Sequence, residues 1–222
     1  MMNETTECGR RDGVGQLSVG VIILAAGASS RMGRPKLLLP WGATSVLGHL
    51  IEQWQKLPIE QIAVVCATID LAMQRELNRL KFPVENRILN PTPEQGMFSS
   101  IQCAARWPGW NFDLSHWIIV LGDQPHLQPE TLRALIEFGA THAQKICQPS
   151  RNERPRHPVL LPKAAFHRLK NSPTENLKQF LQTLAQDTML CTMDDPALDF
   201  DMDLPADYEK AVQLYFNNKS SR

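Results

Sequence analysis

Apolar runs of strand length, recurring between amphipathic segments, most narrow the folds open to this chain. Val19–Ala26, Gln61–Ala67, Val84–Leu89 and His116–Leu121 are nearly continuous hydrophobic stretches. Between and after them the spacing predicts helices near Ser45–Lys56, Leu71–Leu80, Phe98–Arg106 and Glu130–Ala140. Strands that are apolar on both faces must be covered on both faces. The pattern therefore predicts an α/β fold with a parallel sheet between helices. Ligands of such sheets bind beyond the carboxyl ends of strands, beside a switch in strand order. Gly27 and Asp123 each follow a predicted strand, so the fold class alone can bring them to one sheet edge.

After Arg151 the regularity weakens. RNERPRHPVLLP carries three arginines and a histidine and reads as a loop leading into a short strand at Pro158–Leu161. Helices are expected over Lys163–Lys170 and Thr174–Ala185, a strand around Met189–Met193, and a last helix over Pro205–Phe216. Pro205 suits the first helical position and Asp203 its cap. No repeat or linker divides the chain, so 19–218 is expected to form one domain, regular over 19–150 and less regular over 151–218. Residues 1–18 are polar, lack an apolar core for a secretory signal, and read as a disordered leader or a start-site artefact.

Charge sharpens the search for a ligand. Basic and acidic residues balance at 23 each, so no global field favours nucleic acid or an anionic membrane. No apolar run reaches the roughly 20 residues of a membrane helix, and the chain reads as soluble and cytoplasmic. The five cysteines are widely spaced, and Cys66, Cys103 and Cys147 sit in apolar company as expected core residues. An anionic ligand must then be held by local charge. The stretch Val21–Trp41 offers it: a buried-looking strand, the small-residue loop at Gly27, Ser29 and Ser30, then Arg31, Arg34 and Lys36. Small residues let backbone approach a phosphate, and the cations neutralise it. An ordinary strand followed by a solvated basic loop is the competing reading.

Other residues invite chemistry. Asp123, in GDQPH after a predicted strand, suits Mg²⁺, which takes one or two carboxylates and completes its shell with phosphate and water; a turn aspartate is the alternative. Asp199, Asp201 and Asp203 alternate along an extended segment, where they either converge on a cation or form a solvated turn before a helix. Asn90, Ser99 and Ser100 are base or ribose contacts, or equally turn and cap residues. His157 is an acceptor contact or an exposed loop histidine.

Taken together, the segments resemble a known family. LAAGASSRMGRPK (Leu24–Lys36), NPTPEQGMFSS (Asn90–Ser100), GDQP (Gly122–Pro125), RHPVLL (Arg156–Leu161) and DMDLPADY (Asp201–Tyr208) are similar, in this order, to segments of the molybdenum cofactor nucleotidyltransferases, the cytidylyltransferase branch in particular. The resemblance implies a three-layer α/β/α, Rossmann-like nucleotidyltransferase fold with a mostly parallel sheet, with 19–150 the nucleotide-binding half and 151–218 the acceptor half. It also implies Mg²⁺-dependent transfer of NMP from an NTP to a phosphorylated acceptor, the molybdenum cofactor, with release of pyrophosphate. By position, Leu24, Ala25, Ala26 and Gly27 would face base and ribose, and Arg31 and Lys36 the triphosphate. Ser100 would touch the nucleoside, Asp123 would hold Mg²⁺, and Asp203 would be a second metal ligand. Ala26, where guanylyl-transferring relatives usually carry glycine, favours CTP over GTP. A molybdoenzyme or its maturation chaperone is a further partner that the resemblance suggests. The chain departs from the cytidylyl branch at Asn171–Leu177, which lacks that branch's glycines and arginine. That departure motivates a sugar or polyol phosphate as an alternative acceptor. A non-catalytic nucleotide- or cofactor-binding factor, or a reductase on this scaffold, is the alternative outside the class.

Overall fold

The computed structural model describes residues 16–27 and 32–220, with side chains up to 216. Arg31, Ser29, Ser30 and most of the 1–18 segment thus lie outside the described residues. Valine and isoleucine build β1 (Val19–Leu24), β4 (Gln61–Ala67) and β6 (His116–Leu121), where the sequence places strands; β1 ends at Leu24, two residues before the expected bound. Between them come a two-stranded hairpin, β2 (Pro40–Trp41) with β3 (Thr44–Ser45), then α1 (Val46–Gln55), α2 (Leu71–Arg79), β5 (Arg87–Asn90) and α3 (Met97–Arg106). Side chains cap two of these helices: Ser45 Oγ accepts from Gly48 N at 3.0 Å and Asp70 Oδ1 from Met73 N at 2.9 Å. The second half adds α4 (Pro129–Thr141), β7 (Ile146–Arg151), β8 (Arg154–Pro155), β9 (Val159–Pro162), α5 (Lys163–Arg168), α6 (Leu177–Gln182), β10 (Thr188–Thr192) and α7 (Pro205–Ser220).

Eight strands form one sheet in the order β10-β7-β9-β6-β1-β4-β5, with β8 on β7. β1 pairs in parallel with β4 on one side and β6 on the other, so strand order reverses at β1/β6 and Leu24 stands opposite Leu121. The sheet is mixed: β9 runs antiparallel to β6 and β7.

Alternate residues of each central strand enter opposite cores. Val21, Ile23, Val64, Cys66, Ile118 and Val120 face the layer containing α1, α2, α4 and α7. Ile22, Leu24, Ala63, Val65, Trp117 and Ile119 face α3, α5 and α6. That two-sided burial is why these strands read as unbroken apolar runs. It delivers the expected three-layer α/β/α architecture.

Candidate active site

At the strand-order switch the ends of β1 and β6 come together around a cleft of about 320 Å³. Gly122 permits the approach, since a Cβ there would lie 2.8 Å from Leu24 O and 2.7 Å from Leu37 Cδ2. Leu24, Ala26, Gly27, Lys36, Ser100 and Asp123 line the cleft, so most of the nucleotide set expected from sequence does meet. The N-terminus of α3 opens onto it through Gly96, whose φ of 89° suits glycine, and the partial positive charge of a helix start favours an anion.

Two members of the expected set do not face the cleft. Ala25 is 2% exposed and gives its N–H to Val65 O at 2.8 Å, continuing the sheet. Asn90 is fully buried; its Nδ2 donates to Ser99 Oγ at 2.8 Å and Ser100 Oγ at 2.9 Å, and its Oδ1 accepts from Thr92 N at 2.9 Å. Asn90 is therefore a turn-former that holds Ser100. Because Ser100 Oγ accepts that bond, its own O–H is left to donate.

The charged centre is Lys36, on a 3-10 turn over Lys36–Leu38. Its ammonium is 2.8 Å from Asp123 Oδ2 and 3.4 Å from both Asp203 Oδ1 and Met202 O. Asp123 and Asp203, 80 positions apart, thus share one cation. Asp123 Oδ1 is buried with no hydrogen-bond partner. A buried carboxylate oxygen left without a donor is a fitting ligand for a divalent ion, so the residues suit the expected metal. Asp201 turns aside to accept from Gln124 Nε2 at 2.9 Å; burial, then the neighbouring Asp123 charge, raises its carboxyl above the usual range. Asp199 does not join them. It bonds Arg151 and Arg156, with Arg156 Nε at 2.9 Å, and these guanidiniums hold its carboxyl below the usual range. The alternating aspartates therefore do not form a triad, and among the described residues no group of three or more His, Cys, Asp or Glu is arranged to hold a metal. At the start of α7, Asp207 Oδ2 takes the Leu204 N–H at 2.8 Å.

A second, larger groove of about 890 Å³ adjoins the cleft, and Met97 borders both. His157 lines this groove, as do Arg154, Arg156 and Lys178; an aliphatic wall comes from Leu177, Leu181 and Leu190. Burial pushes the His157 imidazole down to about 4, while the Asp123 charge pulls the other way. Its Nδ1 is buried with no hydrogen-bond partner. The sequence reading missed Met97 and the aliphatic wall, because neither a methionine nor scattered leucines signal a site before the fold brings them together.

The MobA-like NTP transferase domain profile matches residues 21–188. The chain is 27% identical over 199 residues to the molybdenum cofactor cytidylyltransferase of Escherichia coli (strain K12), spanning 89% of this chain and 97% of that protein. Among solved structures, a nucleotidyl transferase from Methanothermobacter thermautotroptrophicus superposes with a TM-score of 0.74 at 18% identity, covering 90% of this chain and 99% of that one. Rv0371c of Mycobacterium tuberculosis H37Rv, in complex with manganese, gives 0.63 at 21%, covering 90% and 100%. With the family profile spanning both sides of the switch-point cleft, the chain belongs to the MobA-like NTP transferase domain family and is a nucleotidyltransferase.

Proposed function

We propose that the protein transfers CMP from CTP to the phosphate of the molybdenum cofactor, using Mg²⁺ and releasing pyrophosphate. The observation that carries this reading is the junction of two unlike cavities: a small cleft holding Lys36 and Asp123, and a large groove with a cationic rim and aliphatic wall. The cleft suits the nucleotide, with Ala26 and Gly27 approached through backbone and Ser100 donating to the nucleoside. Arg31 is assigned to the triphosphate by its place in the motif.

An oxygen of the acceptor phosphate would attack the α-phosphorus, forming the new P–O bond as the bond to the bridging oxygen breaks and pyrophosphate leaves. Lys36 would neutralise charge growing on the phosphate oxygens, and the loop and α3 would fix the line of attack. Asp123 and Asp203 would hold the divalent ion, which supplies Lewis-acid stabilisation of the same charge. No protein nucleophile is required.

On the acceptor side, Arg154 and Arg156 suit a phosphate, and neutral His157 can donate one hydrogen bond to it. Leu177, Leu181, Leu190 and Met97 give the groove an apolar wall beside the polar Gln148, Asn176, Gln182 and Thr188, which favours an acceptor with one broad apolar face. Purified protein incubated with molybdenum cofactor, Mg²⁺ and CTP or GTP should release pyrophosphate with CTP preferred. Release only with a sugar phosphate would move the acceptor assignment, and release with no NTP across a panel of phosphorylated acceptors would sink the reading.

A further inference from the structure

The GDQPH stretch that supplies Asp123 also grips the acidic segment opposite it, through atoms for which the proposed reaction has no use. Asp123 O accepts from Met202 N at 3.1 Å. Gln124 Nε2 donates to Asp201 Oδ1 at 2.9 Å. His126 Nε2 lies 3.1 Å from Ala197 O and 3.0 Å from Phe200 O, and its ring stands edge-on to Phe200 with centroids 5.1 Å apart. Carbonyl oxygens only accept, so His126 Nε2 carries the proton and donates to both. Burial lowers the pKa of this imidazole and favours the neutral form. Neither side chain reaches solvent appreciably, at 4% exposure for Gln124 and none for His126.

These contacts fall at residues 123, 124 and 126 on one side and 197–202 on the other, so they act as successive rungs. Met202 and Asp203 belong to no strand of the sheet. Their height against the end of β6 is therefore set by loop contacts: the rungs, the turn that Asp195 Oδ1 closes on Ala197 N at 2.9 Å, the buried Met202 side chain, and Asp207 Oδ2, which accepts from Asp203 N at 3.3 Å. The consequence appears at Lys36, whose ammonium reaches Asp123 and Asp203 together.

We infer that Gln124 and His126 are positioning residues that set the spacing between Asp123 and Asp203, and thereby the affinity of this carboxylate pair for a divalent cation. The inference rests on the proposed role of the two carboxylates as metal ligands. Hydrogen bonds made directly to a metal ligand are worth roughly 10–100-fold in metal affinity, and the rungs, one step further out, act at the lower end of that range.

The test is Mn²⁺ titration of the nucleotide-free protein, followed by electron paramagnetic resonance. His126→Phe keeps a ring against Phe200 and removes the donor, and should weaken Mn²⁺ about tenfold. His126→Gln returns an N–H near the Nε2 position and should restore affinity to within about twofold. Gln124→Leu removes a separate rung and should weaken Mn²⁺ in the same direction, while CTP binding in EDTA stays as in the parent protein. A folded His126→Phe or Gln124→Leu variant that binds Mn²⁺ like the parent overturns the inference, and Gln124→Leu decides the matter if His126→Phe fails to fold. A parent protein that binds no Mn²⁺ overturns the metal assignment itself, and this inference with it.

Discussion

The cleft and the groove are built by opposite means. The cleft is made where adjacent strands end in register, with Gly27, Lys36 and Asp123 each a few residues past or between core elements. The groove is made of side chains from four separate stretches, Met97, Gln148–His157, Asn176–Ala185 and Thr188–Leu190, and has nearly three times the volume. One holds charge at fixed geometry, and the other offers apolar area with cations at its rim. This difference fits a donor whose triphosphate chemistry is invariant and an acceptor recognised chiefly by shape.

Asp123→Asn tests the charged side most severely. The amide keeps the shape but removes the negative charge shared with Lys36, so turnover should fall roughly a thousandfold while the melting temperature changes little. Pyrophosphate release at the parent rate would remove Asp123 from the site.

Lys36→Met should lower kcat roughly a hundredfold. It should also tighten Mn²⁺ binding in the nucleotide-free protein, because Asp123 and Asp203 lose the ammonium that now sits between them. Weaker Mn²⁺ binding in this variant would mean that Lys36 builds the carboxylate pair rather than competing for it.

The same contrast governs what could be read from the sequence. The bounds of β4 and β6 were legible because both faces of these strands are buried, leaving unbroken apolar runs. β7 was not, because Gln148, Pro149 and Ser150 interrupt its hydrophobic pattern even though all three are buried. β5 begins at Arg87 rather than Val84 because a 3-10 turn over Val84–Asn86 follows Pro83. The antiparallel course of β9 depends on a long-range pairing with β6 that no local pattern records. In the cleft, the meeting of Lys36, Asp123 and Ser100 is legible because their motifs lie next to strand and helix ends. The burial of Asn90 is not legible, because an Asx turn and a ligand contact look alike in sequence. Asp199 reads like its neighbours until the fold brings Arg151 and Arg156 to it.

Leu190→Asn tests the apolar side. Leu190 is 42% exposed on edge strand β10, so its replacement should cost little stability. Loss of its apolar area should raise the acceptor KM about fivefold while kcat and the CTP KM hold. An unchanged acceptor KM, or a raised CTP KM, would mean that the groove is not the acceptor site.

The last effect is on stability in acid rather than on turnover, and it probes the boundary between the two cavities. His157 has an imidazole pushed down to about 4 by burial, against 6.5 for the ordinary group. Above pH 6.5 it is neutral in folded and unfolded chains alike and contributes no pH dependence. As pH falls from 6.5 toward 4, the unfolded chain takes up a proton that the native site refuses, so native stability declines, by up to about 3 kcal/mol across that window. His116 and His126, also lowered by burial, act in the same direction and remain in a His157→Asn variant. The difference between the parent and His157→Asn curves, measured by urea unfolding from pH 7 to pH 4, therefore isolates His157. It should be flat above pH 6.5 and widen below it, with the parent losing stability faster. Parallel curves would place His157 in contact with water, as a loop residue on the rim, and would remove the neutral imidazole from the wall between Asp123 and the groove.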